Sequence, residues 1–178
     1  MKQTRPTIVG LSGKLKSGKT TVAKRLCRRF GFAPISFASA LKADLEDLGI
    51  QAAYLYDTKP PIIRQLMQVY GQAQRFQDPG HWVNRAMTYV ERMQRMSPGT
   101  VIVVDDVRFP NEVDAIHARG GIVLRLARSN PVICTGYDDE SETSLDDSKL
   151  DGYITVDEGD LDLLEALVVR ELQQHGVF

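Results

Sequence analysis

The sequence predicts an α/β protein in which a parallel sheet of five strands lies between two layers of helices. Short apolar runs typical of buried parallel strands recur along the chain. Segments with helical spacing of apolar residues separate these runs through nearly all 178 residues. Hydrophobic residues make up 43% and charged residues 25%, which are ordinary values for a globular chain and large enough for one core.

The elements follow in order from apolar runs and from glycine and proline at their ends. The predicted strands are TIVGLS (7–12), PISF (34–37), TVIVVDD (100–106), IVLRLA (122–127) and GYITV (152–156). Helices are predicted over 19–30, 38–49, 61–76, 81–96, 110–121 and 160–176, with a loop over 50–60. Ligands of parallel sheets bind at the carboxyl ends of the strands, so the residues just after each strand are the functional candidates.

The segment GLSGKLKSGKTT contains a Gly-x-x-x-x-Gly-Lys-Thr pattern between the first predicted strand and helix. This is the P-loop pattern in the context that it requires. Glycines let successive N–H groups point at phosphate oxygens, the lysine reaches the β- and γ-phosphates, and the threonine hydroxyl can bind Mg²⁺. The residues predicted to bind a nucleoside triphosphate are Gly13, Lys14, Ser17, Gly18, Lys19, Thr20 and Thr21.

The strand VIVVDD ends in two carboxylates next to the predicted P-loop. A carboxylate at this position can hold the metal or its water shell, and Asp105 and Asp106 compete for the role. Mg²⁺ is therefore the expected cofactor, bound with ATP.

Net charge and motifs narrow the function. The formal charge of −1 gives no general basic field for nucleic acid, no run is long enough to span a membrane, and the default expectation is a cytoplasmic protein. The Asp-x-x-Gly of guanine-nucleotide switches is missing after the third strand, which reads DDVRFP. The residue pattern leaves the oligomeric state open, a homodimer included. Arginines suited to binding phosphate are Arg64, Arg75, Arg108 and Arg128.

The motif DVRFPNE (106–112), followed by GGIVLRLAR and DESE (139–142), resembles the bacteriophage deoxynucleoside monophosphate kinases. ISFASALK (35–42), RQLMQVYGQAQR (64–75) and YITVDEGDLDLL (153–164) are similar to further segments of that family. The resemblance implies one P-loop kinase domain over 1–178, with a helical acceptor-binding region over about 38–97 and a lid-like segment over about 129–150. It implies transfer of the γ-phosphoryl group of ATP to a deoxynucleoside monophosphate.

The resemblance also implies residue roles. Lys19, Asp106, Arg108 and Arg128 would act in catalysis, and Thr20 and Asp106 would hold the metal. The acceptor would contact Lys42, Arg64, Arg75, Arg108 and Trp82, with the indole of Trp82 stacked on the base, although a lone helical tryptophan is more often part of a core. The rival readings are a P-loop kinase of another small acceptor, such as a sugar acid or dephospho-coenzyme A, and a regulatory or DNA-associated ATP-binding module.

Overall fold

The computed structural model describes residues 7–129, 145 and 150–178, and these contain a five-stranded parallel sheet. The strands are β1 (Ile8–Ser12), β2 (Ala33–Ile35), β3 (Ile102–Val107), β4 (Ile122–Arg128) and β5 (Gly152–Val156). Their order across the sheet is β2-β3-β1-β4-β5, and every neighbouring pair is parallel. The predicted α/β class and parallel sheet are confirmed.

Helices cover both faces of the sheet. They are α1 (Lys19–Phe30), α2 (Ala38–Asp47), α3 (Pro61–Gln77), α4 (His81–Met96), α5 (Pro110–His117) and α6 (Leu161–Gln174). Each lies within one or two residues of its predicted start. Among the described residues, no helix has the length and apolar character that a membrane span requires.

The alternation of side chains along each strand builds two separate cores. On one face, Val103 and Leu124 belong to a cluster with residues of α1 and α6, such as Leu26 and Leu164. On the other face, neighbouring strand residues such as Val104 pack in a cluster with residues of α4 and α5. The buried strands read as nearly continuous apolar runs because both faces are covered.

Helices α2, α3 and α4 form an insert between β2 and β3, with a small core of its own. That core contains Leu41, Leu45, Leu55 and Trp82. The predicted loop 50–60 is partly wrong, because Ala53–Thr58 forms a π-helical turn that buries Leu55 completely. Apolar burial of this single leucine converts a polar-looking connection into a packed part of the insert.

Candidate active site

The P-loop adopts a backbone that only glycine tolerates at two of its positions. Gly13 has φ of +139° and Gly18 has φ of +99°. A Cβ at Gly13 would lie 2.1 Å from the carbonyl oxygen of Leu126 on the neighbouring strand β4. The glycine spacing in the sequence therefore reflects both the turn itself and its close contact with the sheet.

Lys19, the first residue of α1, points its ammonium group back over the loop. Its Nζ donates hydrogen bonds to the carbonyl oxygens of Gly13 (2.5 Å) and Lys14 (2.8 Å), and lies 3.3 Å from the Ser17 hydroxyl. The helix N-terminus adds positive potential at the same point. This arrangement is suited to binding the terminal phosphates of a nucleotide.

Asp105 and Asp106 have different surroundings, although they are adjacent. The Thr20 hydroxyl hydrogen-bonds to the Asp105 side chain, and burial is the main cause that raises the pKa of this carboxyl. Residues 105 and 106 point to opposite faces of β3 because strand side chains alternate. Asp105 therefore lies against the P-loop helix, and Asp106 faces away from it.

The Asp106 carboxylate accepts three hydrogen bonds at the start of α2. The donors are the Ser36 hydroxyl (2.6 Å), the Phe37 N–H (2.8 Å) and the Ala38 N–H (3.0 Å). It thus satisfies N–H groups at the N-terminus of α2, which has no cap from its own side chains. This geometry favours Asp105 over the predicted Asp106 as the residue next to a metal ion.

One cavity of about 670 Å³ extends from the P-loop to the insert, which is within the usual size of small-molecule sites. Its charged lining is strongly positive, since eight cationic side chains face three carboxyl groups. The cations are Lys16, Lys19, Lys42, Lys59, Arg64, Arg75, Arg108 and Arg128, and the carboxyls are Asp105, Asp106 and Glu112. The cavity therefore concentrates positive charge in a chain whose overall charge is −1.

The insert side of the cavity holds its cations against aromatic rings and backbone carbonyls. The Arg75 guanidinium lies 4.4 Å from the ring centroid of Phe109, and Lys42 Nζ lies 5.3 Å from that of Tyr56. Burial, followed by the nearby charge of Lys59, lowers the pKa of Lys42. Lys42, Arg75 and the predicted Arg64 and Arg108 all line the same cavity.

Glu112 forms part of the cavity floor and is only 5% exposed. One carboxyl oxygen accepts from the backbone N–H groups of Arg108 (2.7 Å) and Phe109 (3.1 Å). These bonds close a capping box at the start of α5 and fix the backbone that carries Arg108. Burial, and then the neighbouring charge of Asp106, raise the pKa of Glu112 to about 8.

Three predicted residues lie in unexpected surroundings. Trp82 is 3% exposed and its indole N–H donates to the Gly71 carbonyl, so it belongs to the insert core and offers little surface for stacking on a base. Arg128 donates to the carbonyls of Lys16 and Asp157, joining the P-loop to the turn after β5. Lys14 is exposed and is not part of the cavity lining.

The predicted lid-like segment 129–150 lies mostly outside the described residues. The sequence analysis missed Lys59, Phe109 and Glu112. The last two lie inside the quoted DVRFPNE motif, so the motif held a signal that could have found them. Lys59 had no such signal, because only the fold of the insert brings the turn before α3 to the cavity.

Comparison with known proteins agrees with this geometry. No protein-family model matches the chain. Over 159 residues, 78% of this chain and 81% of the relative, it is 29% identical to a protein of Acanthamoeba polyphaga mimivirus named "Putative deoxynucleotide monophosphate kinase". The viral relative comes from a mimivirus, and no bacteriophage protein is among these findings.

Two solved structures share the fold over nearly the whole chain. One is a "putative kinase" from Chloroflexus aurantiacus, with 17% identity, a TM-score of 0.50, and coverage of 96% of this chain and 97% of that one. The other is the shikimate kinase of Acinetobacter baumannii in complex with shikimate, with 12% identity, a TM-score of 0.52, and coverage of 99% and 97%. The chain has the fold of the P-loop kinases. At these identities the likeness concerns the fold alone.

Proposed function

We propose that this protein transfers the γ-phosphoryl group of ATP to the phosphate of a nucleoside monophosphate, with deoxynucleotides as the preferred acceptors. The observation that carries the proposal is the single cavity in which eight cationic side chains face three carboxyls. One group of cations surrounds the P-loop and a second lies on the insert, so the cavity suits two anionic ligands placed end to end. The name of the mimivirus relative supports the same acceptor.

The proposed reaction needs alignment and charge neutralisation more than proton transfer. A phosphate monoester has a second pKa of about 6, so at neutral pH its oxygen can attack the γ-phosphorus directly. The bond from that phosphorus to the β–γ bridging oxygen breaks, ADP leaves with the electron pair, and the acceptor becomes a diphosphate. Lys19 would follow the charge on the transferred group, and Arg108 would align the acceptor.

The carboxyls of the cavity fit this chemistry. Asp106 accepts three protein hydrogen bonds, Glu112 accepts two, and Asp105 interacts with the Thr20 hydroxyl. An acceptor that attacks through an alcohol would need a carboxylate free to take its proton. A phosphate acceptor needs none, which favours a nucleotide over a hydroxy acid such as shikimate.

The residues present also fit Mg²⁺, which would supply charge neutralisation between the β- and γ-phosphates. Thr20 and Asp105 offer hard oxygen donors beside the P-loop. Within the described part of the chain, no group of three or more His, Cys, Asp or Glu side chains forms a metal cage. Mg²⁺ commonly uses one or two protein oxygens and completes its shell with phosphates and water, so a pair of donors is sufficient.

The deciding experiment measures ADP formation by the purified protein with Mg²⁺-ATP and one acceptor at a time. The panel contains dAMP, dGMP, dCMP, dTMP, the ribose counterparts and shikimate. We expect turnover that depends on at least one deoxynucleoside monophosphate. Turnover of shikimate alone would transfer the assignment to a hydroxy-acid kinase, and turnover that ignores every acceptor would indicate an ATP-binding module.

An arginine pair provides the matched control. Arg108→Ala should lower kcat/KM for the acceptor by about 100-fold or more, because a charge-assisted phosphate contact is lost during transfer. Arg95→Ala removes an exposed arginine at the end of α4 that does not line the cavity, and should leave the kinetics unchanged. Equal kinetics for the two variants would contradict the role of Arg108.

A further inference from the structure

Helix α3 exposes an apolar stripe that the monomer leaves uncovered. Ile62, Val69 and Phe76 are 69%, 58% and 92% exposed, and Leu66 is 36% exposed. Ala73 is exposed on the same line of the helix. These five residues are called the α3 stripe below. A contiguous row of exposed apolar side chains of this kind is typical of an interaction surface, unlike apolar residues that are scattered singly.

The spacing of the α3 stripe fits another helix. Successive members are four, three, four and three residues apart, which is the heptad spacing of a helix–helix seam. At 3.6 residues per turn they fall within a band about 80° wide. Only Gly71 of this 17-residue helix is fully buried, so the amphipathic pattern of α3 exceeds what its contacts within the monomer use.

The other sides of α3 already have partners. Ile63, Met67 and Tyr70 pack against the insert core. The two charged residues of the helix, Arg64 and Arg75, line the cavity. The α3 stripe is therefore flanked by uncharged side chains, including the exposed Gln65 and Gln72, and two copies can meet through it without like-charge repulsion.

We propose that a second copy of this chain covers the α3 stripe, with the two α3 helices packed antiparallel across a two-fold axis near Val69. The other members of the stripe lie seven and three residues before Val69 and four and seven after it, so the row reads almost the same in both directions.

Side-chain volume favours the antiparallel arrangement. Ile62 of each copy then faces Phe76 of the other, and Leu66 faces Ala73, so a large residue meets a small one. A parallel pair would instead place two Phe76 rings together and two Ala73 methyl groups opposite a gap. A contact built on one helix per copy belongs to the small, dissociable class of interfaces, so the dimer should depend on concentration.

Sedimentation velocity over about 1–100 µM protein tests the dimer. We expect a rise from monomer to dimer for the natural chain. Val69→Glu and Val69→Lys should each raise the dissociation constant by about 100-fold or more, because each buries an unpaired charge at the axis. Circular dichroism melts establish that both variants fold, which is expected because Val69 is a surface residue.

The matched control changes an exposed apolar residue at the opposite edge of the sheet. Tyr153 on β5 is 64% exposed, and Tyr153→Glu should dimerise like the natural chain. A natural chain that stays monomeric throughout would overturn the proposal. So would Val69→Glu and Val69→Lys chains that dimerise normally, or loss of the dimer in Tyr153→Glu.

Cysteine pairing tests the orientation independently, in a chain with Cys27→Ser and Cys134→Ser. A mixture of Ile62→Cys and Phe76→Cys chains should form a disulfide heterodimer on mild oxidation, and Val69→Cys should form a homodimer. Self-linkage of Ile62→Cys without the mixed product would indicate a parallel pair and overturn the antiparallel one. None of these readouts requires kinase activity, so the result is independent of the proposed function.

Discussion

At the scale of single residues, the neighbours Asp105 and Asp106 show how strand geometry assigns different roles to identical side chains. Because successive residues of β3 face opposite sides, Asp105 meets Thr20 and Asp106 meets the start of α2. The sequence predicted a carboxylate beside the metal from the end of the strand. It could not decide between the two, since both are carboxylates at the same strand end.

We predict that Asp105→Asn and Asp106→Asn separate metal use from stability. Asp105→Asn should raise the Mg²⁺ concentration for half-maximal activity by about 10- to 100-fold, and should not lower the melting temperature, because burial already disfavours the charged form. Asp106→Asn should destabilise the fold by about 1–2 kcal/mol, because an amide cannot accept all three hydrogen bonds at α2.

Mg²⁺ titrations of activity and thermal melts of both variants provide the measurements. The reverse pattern, with the metal requirement altered only in Asp106→Asn, would restore Asp106 to the role that the sequence analysis gave it.

At the scale of elements, α5 depends on a buried acid. Glu112 is the third residue of α5, and its carboxyl caps the helix while fixing the backbone of Arg108. The pKa of Glu112 is about 8 in the folded chain and about 4.5 when the chain is unfolded. Between these values the folded state holds one more proton than the unfolded state, so stability falls as pH rises.

We predict that the natural chain loses stability relative to Glu112→Gln as pH rises from about 5 to 8. The slope of the difference should approach ~1.4 kcal/mol per pH unit, since one proton separates the two states. Glu112→Gln keeps an oxygen for the two backbone N–H groups and removes the titration. Chemical denaturation at several pH values measures both chains. Parallel curves for the two would show that Glu112 does not titrate in this range.

At the scale of the whole molecule, the charge is unevenly distributed. The chain carries a formal charge of −1, yet one cavity gathers eight cations against three carboxyls. Holding like charges together costs free energy in the absence of a ligand, and an anion that binds there offsets this cost.

We predict that tripolyphosphate raises the melting temperature by roughly 5–10 °C at about 100 times its dissociation constant, where linkage contributes about 2.7 kcal/mol. Potassium chloride at equal ionic strength should have a much smaller effect. Lys19→Ala and Arg75→Ala should each reduce the shift, whereas Arg95→Ala at the exposed end of α4 should retain it. Equal shifts in tripolyphosphate and chloride would indicate general screening instead of a built anion site.

The sequence by itself determined the α/β class, the five strands and the phosphate-binding loop. These features depend on local signals, because apolar periodicity and the glycines of a P-loop act over a few neighbouring residues. The resemblance in DVRFPNE also directed attention to Arg108, which the structure places in the cavity with Lys42, Arg64 and Arg75.

Only the tertiary structure decided which carboxylate meets the P-loop, that Trp82 is a core residue, and that Lys59 and Glu112 belong to the cavity. It also separated the covered sides of α3 from its uncovered stripe. The physical reason is that hydrogen bonding, burial and exposure depend on residues far apart in the chain. Ser36 and Asp106 are 70 positions apart, yet their side chains form one hydrogen bond.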